Sequence, residues 1–225
     1  MIFPHAVVFD FDGVIADTEL LHLRAYQQVL SHRGWTLEQS AYFERYLGYN
    51  DEDMLRLYAA DHRLSLDAAG IRALVSEKTD VYHQTLDSGS VLYPGAATCV
   101  RQLAERLPLA IASGSLRDEI LRILGAENLT SAFRAVVSSD DVERSKPAPD
   151  PYLKAAALLG VDPAACVAIE DSHWGLDAAR TAGMRTIALT TTSPASKLTA
   201  ADLVLQRVDE VTIEVLTGLF HGPGP

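Results

Sequence analysis

Asp10 and Asp12 stand on alternate positions directly after the apolar run Val7-Val8-Phe9, and Gly13 follows them. Alternation along an extended chain puts both carboxylates on one side, a few ångströms apart. Carboxylates that close repel unless a cation or a shared proton relieves them. At the carboxyl end of a buried strand they make an oxygen-rich site suited to Mg²⁺. Three further polar clusters follow apolar runs in the same way. Ser113-Gly114-Ser115 follows Leu109-Ala110-Ile111-Ala112, Ser145-Lys146-Pro147 lies in the loop after Ala135-Val136-Val137, and Glu170-Asp171-Ser172 follows Val167-Ala168-Ile169.

These parts suit phosphoryl transfer. Asp10 can attack phosphorus and form an aspartyl phosphate. Asp12 can protonate the leaving oxygen and then take a proton from the attacking water. Glu170 and Asp171 would complete a Mg²⁺ site with Asp10. Ser113 and the amides of Gly114 and Ser115 would hold phosphate oxygens at a helix N-terminus. Lys146 would neutralise charge between carboxylate and phosphate. Each cluster also has a plainer reading. Asp-Gly between apolar runs is a hairpin signal. Ser115, Asp171 or Ser172 can simply cap a helix, and Lys146 can be a solvated loop lysine. Four coincidences at four strand ends are better explained by one site.

The elements that must position these residues are legible in the hydrophobic pattern. Short apolar runs at Val7–Phe9, Leu109–Ala112, Ala135–Val137, Val167–Ile169, Thr186–Leu189 and Leu203–Leu205 read as strands, with helical segments between the later ones. Alternation of strand and helix implies a parallel sheet covered on both faces, whose carboxyl edge binds ligands. From residue 16 to about 88 nothing reads as a strand. Asp17 or Thr18 is expected to cap a helix running to Arg33. Thr36 and Gln39 form a capping-box pattern, Asn50 precedes an acidic first turn, and Ser65 is expected to open a long helix with Ile71, Leu74, Val75, Tyr82 and Leu86 as its buried stripe. Ser115 and Asp118 are expected to cap the helix that ends at Gly125, and Asp150 the helix that has Pro151 at its first position. The expected fold class is α/β: a Rossmann-like parallel sheet core covered by helices, residues 1–15 and 89–225, with an all-helical cap, residues 16–88, inserted after the first strand.

Composition bounds the function classes. With 225 residues, 48% hydrophobic and 22% charged, the chain has the make-up of a soluble globular protein. A formal net charge of -11 argues against nucleic acid or an anionic membrane as partner. Cys99 and Cys166, the two cysteines, read as small buried residues in a reducing compartment. No apolar run approaches a membrane span, and Asp10 and Asp12 come too early for a signal peptide. A cytoplasmic monomer acting on a small phosphorylated molecule is expected.

The motifs together resemble the haloacid dehalogenase superfamily of phosphohydrolases, in the subfamily with a helical cap after the first motif. The chain is similar to β-phosphoglucomutase-like and phosphoglycolate-phosphatase-like members. Asp10-Phe11-Asp12-Gly13-Val14 matches the first motif, Ser113-Gly114-Ser115 the second, Lys146-Pro147-Ala148-Pro149-Asp150 the third, and Ile169-Glu170-Asp171-Ser172 the fourth. The resemblance implies that Asp10 is the nucleophile and Asp12 the acid/base. It also implies Asp10, Asp171 and the main-chain carbonyl of Asp12 as metal ligands, with Glu170 behind them. In the cap, His22, Arg24, Tyr49, Asn50 and Lys78 are the candidates for facing substrate, and His22 and Lys78 resemble cap residues of the β-phosphoglucomutases. Where those mutases carry basic residues, this chain has Leu47 and Asp51. An acid there would repel a bisphosphate. The expectation is therefore a Mg²⁺-dependent phosphatase, with a β-phosphoglucomutase-type phosphotransferase as the alternative. A phospho-accepting receiver domain uses similar groups, but it is phosphorylated on a later strand and has no helical insertion after the first.

Overall fold

The protein is described by a computed structural model over residues 4–86 and 90–220, so the expected boundary at residues 88 and 89 lies outside the described residues. The chain divides into two compact units, Met1–Asp17 with Leu92–Pro225, and Thr18–Val91. Ala16 belongs to the first unit. Its amide donates to the Phe11 carbonyl at 3.0 Å, and it bridges to Leu92.

The first unit is built on β1 (Ala6–Phe9) and on the strands and helices that follow the insertion. Among its described residues the regular elements of the second unit are all helical. It comprises α1 (Glu19–Ser31), α2 (Gln39–Ala41) running into a π-turn at Tyr42–Tyr46, α3 (Asp51–Asp61) and α4 (Ala68–Leu86). The chain then returns through α5 (Ala96–Ala104), β2 (Leu109–Ala112), α6 (Arg117–Ala126), β3 (Ala135–Val137), α7 (Asp150–Leu159), β4 (Cys166–Glu170), α8 (His173–Thr181), β5 (Arg185–Leu189), β6 (Leu203–Leu205) and α9 (Ile213–Gly218).

The six strands form one sheet in the order β3-β2-β1-β4-β5-β6, and every paired neighbour is parallel. Apart from Glu170 at the end of β4 and Arg185-Thr186 at the start of β5, the strands are apolar, as parallel sheets covered on both faces require. On one face Ala6 and Val8 of β1, Ala110 and Ala112 of β2 and Ala168 of β4 pack against Tyr152, Ala155 and Ala156 of α7 and Ala178 and Ala179 of α8. Alanine on both sides lets the helices approach closely. On the other face Phe9 meets Phe133 edge-on, with ring centroids 6.2 Å apart.

Register sets the site. Phe9 is level with Ile111 on one side and Ile169 on the other, so Asp10, Ala112 and Glu170 come next at one height. The order reverses beside β1, which is the topological switch point where doubly wound sheets bind ligands.

Several helix starts differ from the sequence expectations, for local reasons. Thr18 occupies the N-cap of α1 without a side-chain cap bond, its backbone already turning at φ -111° and ψ -11°. Glu38, not Thr36, precedes α2, and the segment after it widens to a π-turn closed by Leu47 N–H donating to the Tyr42 carbonyl at 2.9 Å. Asp67, not Ser65, starts α4, its Oδ1 accepting from Gly70 N–H at 2.8 Å. Leu116 holds the N-cap position of α6, and Pro149 that of α7, with Asp150 inside the helix and paired to Arg144 at 3.0 Å. Asn50 does cap α3, accepting from Asp53 N–H at 2.8 Å.

Gly175 in the first turn of α8 lets that helix lie directly on Glu170, since a Cβ there would collide with the Glu170 carboxylate. Gly175→Ala is therefore expected to lower stability by about 1–3 kcal/mol, the range for overpacking a close-packed interior. Chemical denaturation of the two proteins side by side checks this.

Candidate active site

The site grows from the carboxyl ends of β1, β2 and β4 and from the loop after β3. Asp10 leaves β1 with its amide donating to the Ile169 carbonyl at 2.9 Å. Its Oδ1 accepts from the Phe11 amide at 2.7 Å and lies 2.9 Å from Lys146 Nζ. The chain then turns tightly at Gly13, at φ +78°. A Cβ there would collide with the Asp171 carboxylate, so glycine is demanded both by backbone conformation and by the close approach of the β4 end.

Lys146 is buried between two carboxylates, 2.9 Å from Asp10 Oδ1 and 2.6 Å from Glu170 Oε1. Burial disfavours its ammonium form, but the charges of Asp10 and Glu170 more than offset that, and its pKa is raised. It is not the solvated loop lysine of the plainer reading. Burial raises the Asp10 pKa well above the ordinary carboxylate value, with the Glu170 charge adding to the effect and Lys146 opposing it.

Glu170 is wholly buried and saturated with donors. Oε1 accepts from Tyr152 Oη as well as Lys146, each at 2.6 Å. Oε2 accepts from the Asp171 amide at 3.1 Å, from Ser172 Oγ at 3.2 Å and from the Ser172 amide at 3.4 Å. A carboxylate offers about four lone-pair positions, and these are taken. Ser172 also accepts from Gly175 N–H at 3.1 Å, so the helix-cap reading of Ser172 holds alongside its contact with Glu170.

Asp12 faces the loop after β2. Its Oδ2 accepts from Ser115 Oγ, and Ser113 Oγ lies 3.5 Å away. Ser115 therefore serves Asp12 rather than capping α6. The Ser115 amide donates to Ser113 Oγ at 3.0 Å, so that amide, expected to meet phosphate, is engaged within the loop. Gly114 lies between the two serines.

Ligand oxygens of Asp10, Glu170 and Asp171 lie within 4.8 Å of one another, all three residues buried. Hard oxygen donors so grouped fit Mg²⁺. Asp10 and Asp171 fit it best, because the oxygens of Glu170 are engaged by Lys146, Tyr152, Ser172 and the turn amides. The carboxylate of Asp12 is not in that group.

The helical unit, taken by itself, holds a second polar cluster. Lys78 is fully buried on α4, with Nζ 2.9 Å from Asp51 Oδ2. Tyr26 Oη donates to Asp51 Oδ1 at 2.5 Å. His22 is also buried and stacks on Tyr82, ring centroids 4.2 Å apart. Burial would raise the Asp51 pKa, but Lys78, His22 and the Tyr26 hydroxyl outweigh it and hold the pKa low. Lys78 and His22 are thus buried residues, and Asp51 is a matched charge. Its expected repulsion of a bisphosphate falls with that match. Arg24 is exposed, Tyr49 and Asn50 are half-buried, and Leu47 is buried.

Tyr152, Thr191 and Thr192 were not legible as site residues. Thr192 Oγ1 donates to Asp171 Oδ2, and Thr191 Oγ1 to the Gly13 carbonyl. Nothing in the local sequence links them to residues so distant along the chain.

A parallel sheet with paired carboxylates, a buried lysine and a serine-rich turn on its carboxyl edge defines a doubly wound α/β protein with a polar site at its topological switch point. Residues 7–189 match the family described as haloacid dehalogenase-like hydrolase, and the chain belongs to that family. It is 36% identical to a fructose-1-phosphate phosphatase, YqaB, of Escherichia coli over 179 residues, covering 79% of this chain and 92% of that one. It is 32% identical to β-phosphoglucomutase of Bacillus subtilis over 222 residues, covering 95% of this chain and 93% of that one. A crystal structure of a variant of CbbY from Rhodobacter sphaeroides with xylulose-1,5-bisphosphate superposes with a TM-score of 0.83 at 27% identity, covering 93% of this chain and 96% of that one. Among the described residues no helix is long and apolar enough to cross a membrane.

The raised pKa of Asp10 carries a stability consequence with a definite sign. In metal-free protein, ionising Asp10 costs stability once the pH exceeds its unfolded value, and the cost disappears below that value. Metal-free Asp10→Asn should therefore unfold no lower than the wild type at neutral pH, and the difference should shrink toward the acid carboxylate range. Thermal melts of both proteins across that range, in chelator, measure it.

Proposed function

We propose that the protein is a Mg²⁺-dependent phosphatase that hydrolyses a small phosphorylated metabolite, a sugar phosphate or a phosphoglycolate-like compound, through an aspartyl phosphate on Asp10. The observation that supports the reading is Lys146 buried against Asp10 beside the Asp12–Ser115 contact, residues whose chemistry suits nucleophile, acid and anion-holding roles on one sheet edge. Asp10 attacks phosphorus, and its bonds to the Phe11 amide and Lys146 fix the carboxylate's orientation. Asp12, held by Ser115, protonates the departing oxygen and then takes a proton from water. Ser113, Gly114 and Lys146 hold the phosphate oxygens. Mg²⁺ at Asp10 and Asp171 would supply positive charge against the carboxylates and the substrate phosphate.

Hydrolysis is favoured over phosphate migration by the state of the cap cluster. Lys78 is matched by Asp51, so the pair offers a second phosphate no net positive charge. The similarity to a protein named as a fructose-1-phosphate phosphatase supports the same choice. A β-phosphoglucomutase-type activity is the second reading, supported by the 32% identity to such an enzyme over nearly the whole chain.

A panel of sugar phosphates and phosphoglycolate, assayed for inorganic phosphate, should show steady release that stops on chelation of Mg²⁺ and is absent from Asp10→Asn. β-Glucose 1-phosphate with a trace of bisphosphate should yield phosphate; accumulation of glucose 6-phosphate instead would establish the mutase reading. Unimpaired turnover by Asp10→Asn would remove Asp10 as the nucleophile.

A further inference from the structure

The turn after β5 carries three consecutive threonines, Thr190–Thr192, that none of the four motifs includes, and the last two reach the acidic cluster. Thr191 Oγ1 donates to the main-chain carbonyl of Gly13, in the turn that follows Asp10 and Asp12. Thr192 Oγ1 donates to Asp171 Oδ2 and lies 3.3 Å from the Asp171 carbonyl oxygen. The three segments are also in steric contact, because a Cβ on Gly13 would meet both the Asp171 carboxylate and the methyl group of Thr192. One turn therefore stitches the end of β1 to the end of β4, the two strands that supply the acidic cluster.

We infer that Thr192 is a positioning residue for the metal site. It engages one oxygen of Asp171, so that the carboxylate keeps a single orientation. Thr191 anchors the turn that carries it. The physical reason is that a carboxylate free to rotate must lose that freedom when a cation binds. A hydroxyl–carboxylate hydrogen bond removes the freedom beforehand. Partners that orient a ligand without touching the ion typically change metal affinity by about 10–100-fold. Valine matches threonine in shape but lacks the hydroxyl, and Thr192 is only half-buried, so the substitution is mild in packing terms.

The inference rests on the reading of Asp171 as a Mg²⁺ ligand, and calorimetric titration of the full chain with Mg²⁺ alone tests the two separately. Thr192→Val and Thr192→Ala should bind Mg²⁺ about 10–100-fold more weakly than wild type, with metal-free melting unchanged. Thr192→Ser, which restores the hydroxyl, should return to near wild-type affinity. In turnover assays the Mg²⁺ concentration for half-maximal rate should rise while the rate at saturating Mg²⁺ stays near normal. Wild-type binding with unaltered affinity in both hydroxyl-less variants overturns the role of Thr192 and leaves the metal reading standing. So does an equal loss in Thr192→Ser. A wild-type protein that takes up no Mg²⁺ overturns the metal reading and this inference with it.

Discussion

The structure turns on one buried ammonium. Lys146 comes from a loop, yet it is held between Asp10 of β1 and Glu170 of β4, two carboxylates that the sheet register forces to the same height. Two like charges at that separation in a dry environment would oppose folding. The lysine relieves them, and the donors around Glu170 complete the balance. What remains is one carboxylate, Asp10, that stays destabilised as an anion. Such imbalance is common at functional sites.

The surrounding shell follows from that arrangement. Tyr152 reaches Glu170 because α7 lies close to the sheet on its alanines, and Ser172 and Gly175 bring the first turn of α8 onto the same carboxylate. The same helices that close the hydrophobic core thus satisfy the polar one. Core packing and site chemistry cannot be separated here: any change that lifts α7 or α8 from the sheet also strips donors from Glu170.

Much of this was legible in sequence because it depends on local pattern. Apolar runs ending in polar residues located all six strands and the four clusters, and the family resemblance followed from those clusters in order. Contacts between distant segments were not legible. Ser115 looks like a helix cap, and only the folded chain shows its hydroxyl turned to Asp12. Thr191 and Thr192 resemble any polar turn after a strand. Lys78 is an intermediate case. It falls four residues after Leu74 and four before Tyr82 on the buried stripe of α4, so the helical period predicts its burial. Its charge argues the other way, and the deciding fact, Asp51 at the start of α3, is a tertiary one.

The level register of β2, β1 and β4 has a consequence for how such a protein diversifies. Asp10 and Glu170 take their common height from a ladder of backbone hydrogen bonds. Loops that carry none of these groups can therefore drift in sequence or lengthen without moving Asp10 and Glu170 from their common height. A lineage built on this frame can try new substrates while its reaction stays constant, so novelty in choice of molecule arises by small mutational steps and novelty in reaction type does not.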